Sequence, residues 1–461
     1  MRKTLFTAAL LLGALTSANA SVNTDAAKTN YTDTQWEYYA AAEFAGGKGT
    51  KEDPYLIATP EQFAKIAVEV ENLGFDDNNW DNMYSDGVYF KQVADLVFND
   101  DVLGKTTWDD QGDQSGIDAT KLRTFGGIGY MTDPDWDYQR FSGYYDGGGY
   151  KIKGVYLKGE KSSTGLFNFT EGGEIKNIVV EDTYISGNAN VGFIVGQATG
   201  TTILNCQTSG TIYCGGSYHA GIVGTLTEGG KVLNCVTYAW TWGKNNIGGL
   251  VGSGRYSSLI QNCYFGGWLG GVGSNLAKFQ WWGTVCPELG MESAETTSTI
   301  IDPDDPEGLA TITVCENPSK AVDCFWTDTC TVRHKRNPTN PLKWMSAESH
   351  NDDANCDFGV FENCKAVALA EIEATVDALN EKAKNIEGAC QWEVGEDGLP
   401  ALTFEGMGTG ITSVTTDKAE GVYDVYGIDG TVVRRGISKA DALNGLTKGV
   451  YIMNGKKYVV K

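Results

Sequence analysis

Four aromatic residues have the type and spacing of a ligand-binding face. Trp240 and Trp268 are 28 residues apart, and Tyr213 and Trp242 are 29 apart. Each pair keeps a constant offset from a recurring asparagine, so its members should align on neighbouring turns of a repeat structure. Residues two apart in a strand share one face, so all four side chains should point the same way. Outward rings would form stacking platforms for sugars, whereas inward rings would pack the core.

Residues that could support catalysis are few and scattered. Glycoside chemistry needs a pair of carboxylates, yet no acid recurs at the repeat period, and Glu228 lies in a glycine turn typical of a solvated loop. No histidine fits a zinc or triad pattern, and His219 is expected to be a hydrogen-bonded residue at the rim of a turn. The sequence therefore assigns no catalytic, cofactor-binding or metal-binding residue. The candidates weighed are Glu174, Glu181, Asp182, Glu228, His219, His334 and His350.

One segment imitates the start of a calcium loop. Asp133-Pro134-Asp135-Trp136-Asp137 supplies alternate acids, but Tyr138 and Tyr144 stand where the loop needs glycine and glutamate. A solvated loop is favoured over bound calcium, so no cofactor is expected and calcium stays an alternative.

The elements that must position these residues come from a repeat. Asn177, Asn205, Asn234 and Asn262 are separated by 28, 29 and 28 residues, and each follows a Gly-Leu/Ile/Phe-containing segment. Such a period indicates a solenoid. A leucine-rich repeat is disfavoured because the turns lack spaced leucines and helix formers. The pattern predicts a right-handed parallel β-helix with three short strands per turn and an asparagine ladder at one bend.

The eleven cysteines divide into two groups. Cys206, Cys235 and Cys263 directly follow the repeat asparagines and should stack as an unbridged ladder inside the coil. Cys324 resembles the ladder position of a last coil. Any disulfides are expected among the remaining residues, with the pairing left open: Cys315, Cys330, Cys356, Cys364 and Cys390.

Both ends of the coil have closing signals, and a second domain follows. Residues 54–73 predict an N-terminal helical cap, with Thr59 as N-cap and Gln62 at N3. A helix with Leu369 and Leu379 on its apolar face, followed by a strand over 392–404, should close the C-terminal end. The β-helix domain is thus 46–404. Residues 411–461 predict a small antiparallel β-sandwich with a hairpin at Asn454-Gly455.

The N-terminus indicates export, and the charge argues against nucleic-acid binding. Residues 1–20 read as a signal peptide, with Arg2 and Lys3 before an apolar run and a small-residue cleavage site. No later run is long enough to span a membrane. The formal charge is −23, and residues 411–461 carry eight basic and five acidic residues, leaving −26 for the rest. A body this acidic repels phosphate backbones and argues against nucleic-acid binding.

Two stretches resemble known families. Gly221-Ile222-Val223-Gly224 with Asn234-Cys235, and Gly249-Leu250-Val251-Gly252 with Asn262-Cys263, are similar to the GLUG motif of bacterial surface proteins. The tail, notably 422–430 and 446–452, resembles the C-terminal sorting domain of type IX (Por) secretion in Bacteroidetes. The resemblance implies an exported β-helix of the kind found in adhesins, no catalytic residue of its own, and passage through the secretion machinery to the cell surface or medium.

Three functions remain open at this point. The favoured one is an adhesion or binding module that engages a glycan or a host protein along the coil face. A carbohydrate-active lyase or hydrolase would draw its carboxylates from the insertions at 99–138 or 300–360. The third is a purely structural surface stalk. The absence of a recurring acid favours binding over catalysis.

Overall fold

The structure is a computed structural model that describes most of the chain between residues 30 and 460. The described residues are 30–72, 85–104, 118–132, 137–159, 162–243, 245–271, 282–290, 295–301, 309–315, 318–328, 332–334, 337–342, 359–404, 422–427, 432–438, 445–446, 449–453 and 456–460. The expected signal peptide and residues 133–136 of the calcium-like segment lie outside them.

The repeat folds as a parallel β-helix, as its period predicted. One regular turn runs through Glu174–Lys176, Val179–Gly187, Val191–Gly192 and Val195–Thr199. Each of these strands pairs in parallel with its equivalent in the next turn. A turn therefore contains four strands and not the three expected. The additional one is the two-residue strand Val191–Gly192, which precedes Val195–Thr199.

The strands of successive turns stack into four sheets, here called A to D. Sheet A contains Tyr55–Ile57, Tyr89–Gln92, Tyr144–Asp146, Glu174–Lys176, Thr202–Leu204, Lys231–Leu233, Leu259–Gln261, Lys320–Val322 and Val360–Glu362. Sheet B contains Leu96–Val97, Lys151–Lys153, Tyr156–Lys158, Val179–Gly187, Gln207–Cys214, Val236–Gly243, Tyr264–Phe265, Trp268–Gly271, Phe325–Thr327, Val332–His334, Asn337–Leu342 and Lys365–Val367. Sheet C contains Val191–Gly192, His219–Ala220, Ile247–Gly248 and Trp282–Gly283, and sheet D contains Phe167–Glu171, Val195–Thr199, Val223–Thr227 and Val251–Gly254.

Smaller elements decorate the coil. Antiparallel pairs join Tyr130–Thr132 to Asp137–Gln139, Glu295–Ile301 to Leu309–Cys315, and Gln391–Val394 to Pro400–Thr403. Short 3₁₀ helices cover Trp36–Tyr39, Asp100–Val102, Ala119–Lys121 and Leu369–Glu371. The two α-helices are α1, Pro60–Asn72, and α2, Ile372–Ala383.

Helix α1 caps the start of the coil, as predicted. Thr59 Oγ1 accepts from Gln62 N–H at 3.3 Å, and the Gln62 side chain accepts from Ala58 N–H at 2.8 Å. The buried face of α1 presents Phe63, whose ring meets those of Tyr145 and Phe167 in the coil interior at 5.6 and 6.1 Å. The helix thus covers the apolar layer that the first turn would otherwise expose.

The asparagine ladder stands at the bend between sheets A and B. Its members adopt left-handed φ values of 52–56°, which asparagine tolerates better than most residues. Each donates from Nδ2 to Oδ1 of the one before it: Asn205 to Asn177 at 2.9 Å, Asn234 to Asn205 at 2.8 Å, and Asn262 to Asn234 at 2.7 Å. Asp323 and Asn363 continue the same bend with the same backbone conformation.

The cysteine ladder lies next to it and is unbridged. Cys206, Cys235, Cys263 and Cys324 are fully buried free thiols. The expectation that Cys324 marks the last coil was wrong, because Val360–Glu362 and Lys365–Val367 form a further turn. Cys364 occupies the ladder in that turn, so it and the buried Cys390 are free thiols and not members of a disulfide. The other three expected disulfide cysteines lie outside the residues whose side chains are described.

The C-terminal elements of the β-helix domain lie along its flank. Residues 369–404, here called the strap, contain α2 and the hairpin Gln391–Val394/Pro400–Thr403. Three of the ladder asparagines donate their second amide hydrogen to the strap: Asn262 to Leu379 O at 3.1 Å, Asn234 to Cys390 O at 3.0 Å, and Asn205 to Gly388 O at 2.8 Å. The strap therefore runs back across successive turns, whereas the sequence had suggested that this segment closes the end.

Apolar burial fixes the strap in place. Ile372, Val376, Leu379, Trp392 and Leu402 pack on side chains that project outward from sheet B: Val236, Tyr264, Phe325 and Val367. Phe404 reaches Gly149, where an added Cβ would lie 2.4 Å from the Phe404 Cβ. The strap thus buries an outer apolar stripe that a bare solenoid would leave in water.

Residues 408–461 form a separate compact unit. Its described strands make one four-stranded antiparallel sheet in the order Val432–Ser438, Val422–Gly427, Gly449–Met453 and Lys456–Val460. Met453 pairs with Lys456, so the strands on either side of Asn454-Gly455 are antiparallel neighbours, as the predicted hairpin requires. Among the described helices of the whole chain, none is long and apolar enough to cross a membrane.

Candidate functional site

The candidate site is built on the longer strands of sheet B. Within these strands the side chains alternate, and the inward column is buried in the coil interior: Leu157, Ile185, Ile212, Thr241 and Leu269. The residues on either side of this column therefore project from the outer surface of the sheet. Two outward columns result.

The predicted aromatic residues occupy these two columns. Trp240 pairs with Trp268 in register, and Tyr213 pairs with Trp242. All four share the outward face, which resolves the choice left open by the sequence. The first outward column is Tyr156, Tyr184, Thr211, Trp240 and Trp268, and the second is Lys158, Ser186, Tyr213, Trp242 and Gly270. The first column is here called the aromatic ladder.

Ring spacing along the ladder is dictated by the coil. Neighbouring strands are about 4.8 Å apart, which is too close for two aromatic rings to lie flat side by side. The rings respond by stacking or tilting against each other. Tyr156 and Tyr184 stack at 5.3 Å with planes 19° apart, and Trp240 and Trp268 meet at 5.6 Å with planes 39° apart. The face is thus a ridge of tilted rings and not the row of flat platforms expected.

Burial divides the ladder into two halves. Tyr156 and Tyr184 are only 7% and 5% exposed, because Val102 and Leu122 from the 99–138 insertion pack on them. Burial raises the pKa of Tyr184 above its ordinary value. Trp240 and Trp268 are partly exposed, and so is Tyr213 of the second column. The later half of the ladder is therefore the part that a ligand can reach.

Trp242 lies beside this half, in the second outward column. It is only 5% exposed, so its ring packs against neighbouring side chains and offers little surface to a ligand. Its register partner is Gly270, where a Cβ would lie 2.4 Å from the indole ring. Only a glycine leaves room for the Trp242 ring at this rung.

The acids of the regular turns lie in ion pairs or in solvent. Glu181 accepts from Lys151 at 2.8 Å and Lys153 at 3.0 Å. Burial works to raise the pKa of Glu181, but the two lysine hydrogen bonds hold it below its ordinary value. Glu174 pairs with Lys176 at 2.6 Å. Glu228 is exposed in its glycine turn, as predicted. The described turns thus bring no two of these carboxylates together.

One buried acid was missed by the sequence reasoning. Glu288 is 4% exposed, accepts hydrogen bonds from Asn246 and Ser253, and forms an ion pair with Arg255. Arg255 also donates to Tyr218 Oη at 3.0 Å. Glu288 lies in the turn that follows residues 249–251, whose backbone N–H groups donate to the carbonyls of 283–285. The 34-residue offset hides that turn from a 28-residue period. The cluster is internally paired, which is typical of a structural ion pair.

The expectation for His219 was wrong. Instead of a hydrogen-bonded rim residue, it is a fully buried side chain between Val191 and Ile247 of sheet C. Neither ring nitrogen has a hydrogen-bond partner, and the imidazole fills the space above Gly243. Burial lowers its pKa to about 3. It is a core residue and no candidate base or ligand.

No metal centre emerges from the part of the chain that the structure describes: no three His, Cys, Asp or Glu side chains converge there. Residues 133–136 of the calcium-like segment do not belong to that part of the chain.

Comparisons with known proteins give short matches. No family model matches the chain. It is 30% identical over 162 residues to a protein of Evansella cellulosilytica named as a candidate Gly-rich membrane protein, covering 34% of this chain and 15% of that protein. It is 24% identical over 246 residues to Halomucin of Haloquadratum walsbyi, covering 52% of this chain and 2% of that protein. The chain thus spans a small part of either relative.

One solved structure is similar in outline. It is the crystal structure of a candidate immunoglobulin A1 protease from Bacteroides ovatus, with a TM-score of 0.43 and 17% identity. The match covers 78% of this chain and 95% of that one. A likeness of this degree carries no conclusion about activity.

Proposed function

We propose that the protein is an exported binding protein that engages an extracellular macromolecule through the later half of its aromatic ladder. The observation that supports this most is the in-register pair Trp240–Trp268, partly exposed on the outer face of sheet B. Tryptophan is costly to leave in water and is enriched where proteins bind partners. Trp242, Gly270 and the inward column hold the pair on a rigid sheet.

Binding is favoured over catalysis by what surrounds the ladder. Hydrolysis or elimination of a polysaccharide requires carboxylates or a basic group placed against the sugar. Among the described acids of the turns, Glu181 and Glu174 are paired with lysines, Glu288 is paired with Arg255, and Glu228 lies in an exposed glycine turn away from the ladder's sheet. A lyase or hydrolase, and a purely structural stalk, are the competing functions.

Export and surface display form part of the proposal. They rest on the signal-like residues 1–20 and on the similarity of 411–461 to Por sorting domains, together with the GLUG-like repeat. The sorting role predicts that a chain lacking 411–461 accumulates in the periplasm of the producing bacterium. Unchanged surface exposure of the truncated chain, measured by protease shaving of intact cells, would refute it.

The binding role can be tested with immobilised glycans and extracellular matrix proteins. The full chain is compared with Trp240→Ala/Trp268→Ala and with Tyr144→Ala, which removes an exposed aromatic ring from sheet A. Binding that is lost only in the double variant supports the proposal. Binding that survives in the double variant, or no binding by the wild type, contradicts it. Release of soluble products from a polysaccharide would favour the enzyme instead.

A further inference from the structure

The covered half of the aromatic ladder shows what kind of side chain this face accepts. Tyr156 and Tyr184 are part of the same outward column as Trp240 and Trp268. Their cover comes from Val102, which is fully buried, and Leu122, which is 6% exposed. Val102 ends the 3₁₀ turn Asp100–Val102, and Leu122 follows the 3₁₀ turn Ala119–Lys121. Each turn places one aliphatic side chain against the rings. The chain therefore contains its own example of a bound polypeptide on this surface.

The example includes a polar anchor. Gly104 N–H, two residues after Val102, donates to Asp182 Oδ1 at 2.9 Å. Asp182 belongs to the same strand of sheet B as Tyr184. A backbone amide and an aliphatic side chain thus engage the sheet together, as when one polypeptide segment recognises another.

Ring orientation points in the same direction. A sugar stacks on an exposed ring face, whereas the tilted ladder turns part of each face toward its neighbour, as the 5.6 Å contact of Trp240 with Trp268 shows. Aliphatic groups have no such requirement, because their burial is non-directional and they fit the grooves between tilted rings.

We propose that the partly exposed part of this face, formed by Trp240 and Trp268 of the aromatic ladder and Tyr213 of the second column, binds a polypeptide segment of a partner protein that bears aliphatic side chains. The aliphatic side chains pack on the rings as Val102 and Leu122 pack on Tyr156 and Tyr184. This inference rests on the proposed function and names the class of partner.

The test uses two fluorescent peptides and the full chain. One peptide places valine and leucine between terminal lysines, and the matched peptide replaces each valine and leucine by serine. Fluorescence anisotropy should show the aliphatic peptide binding at least about tenfold more tightly than the serine peptide. Trp240→Ala/Trp268→Ala should lose about tenfold or more of that affinity, while Tyr144→Ala stays within about twofold.

A gain-of-function variant guards against loss of fold. Val102→Ser/Leu122→Ser removes the cover from Tyr156 and Tyr184, so it should strengthen binding of the aliphatic peptide. Melting curves of all variants should keep the cooperative transitions of the wild type, one of which is expected from each of the two units.

The possible outcomes separate the two proposals. Equal affinity for both peptides overturns the inference. So does an affinity for the aliphatic peptide that is unchanged in Trp240→Ala/Trp268→Ala. If no peptide binds while glycan binding is lost in the double variant, the partner class is wrong and the binding function stands. If the double variant retains every interaction of the wild type, both proposals fail.

Discussion

Asn262 and Asp323 occupy neighbouring rungs of the asparagine ladder, and the chain of side-chain hydrogen bonds stops between them. The strand before Asn262 pairs in register with the strand before Asp323. At every earlier rung the later residue donates an amide hydrogen, but the Asp323 carboxylate has none to give. Asn262 Oδ1 is accordingly buried without a partner. Asp323 instead accepts from Asn363 and pairs with Lys382 of the strap at 3.0 Å.

Asp323→Asn should stabilise the coil. An amide at this rung can donate to Asn262 Oδ1 and still accept from Asn363, so satisfying the buried acceptor should contribute about 1 kcal/mol. The half-exposed Lys382 loses an ion pair worth about 0–1 kcal/mol, which offsets part of the gain. Urea unfolding of the two chains measures the difference. Lys382→Met provides the control: it should cost more stability with Asp323 than with Asp323→Asn, and equal costs would refute the pairing.

His219→Leu should remove a pH-dependent loss of stability. The folded-state pKa of His219 is about 3, below its ordinary value near 6.5, because the neutral ring is fully buried. Below pH 6.5 the unfolded chain takes up a proton that the folded chain does not, so stability falls with decreasing pH down to about pH 3. The contribution is about 1.4 kcal/mol per pH unit. Relative to wild type, the variant should therefore gain about 2 kcal/mol between pH 7 and pH 5. A constant difference across that range would contradict the burial of His219.

Gly270→Ala should disturb the support of the exposed ladder. The added methyl group would lie 2.4 Å from the Trp242 ring, so the ring or the strand must shift. Overpacking of this kind typically costs about 1–3 kcal/mol and should also weaken ligand binding. Gly215→Ala is the matched control, since the nearest atom to its Cβ would be 3.9 Å away. Similar unfolding midpoints for the two variants would show that Trp242 is not seated as described.

Loosening the strap should expose Cys390. Cys390 is a residue of the strap, is 4% exposed, and has its pKa raised to about 12 by burial, so it should react slowly with thiol reagents. Trp392→Ala removes a buried ring together with the hydrogen bond from Nε1 to Asn234 Oδ1 at 2.6 Å. The rate of labelling of Cys390 should rise by at least about tenfold. Mass spectrometry of labelled peptides distinguishes Cys390 from Cys235, which lies inside the coil and should keep its slow rate.

The architecture was predictable where it repeats. Asn205, Asn234 and Asn262 mark the same bend by spacing alone, because a β-helix turn must return to the same place. The turns that contain Glu288 and Asn363 were not foreseen, because long insertions separate them from the repeat. The strap was misassigned as an end cap for a different reason: its amphipathic helix carries the same apolar signal whether it covers an end or a flank.

The aromatic face was predictable in part. The 28- and 29-residue spacings placed Trp240 beside Trp268 and Tyr213 beside Trp242, and strand alternation placed all four on one side. Which rings remain accessible could not be read from the spacing, because the cover comes from Val102 and Leu122, distant in the chain. The tilt of the rings follows from the distance between strands, which the sequence does not express.

The return path of the strap decides which turn of the coil the end of this domain lies beside. Phe404, the last described residue before the second unit, rests on Gly149, in the turn that precedes Val179. The turns of Trp240 and Trp268 lie three and four strands further along sheet B, about 15–20 Å away. The last described residue of the β-helix domain therefore lies beside an early turn of the coil, and not beside the turns that contain the tryptophan pair.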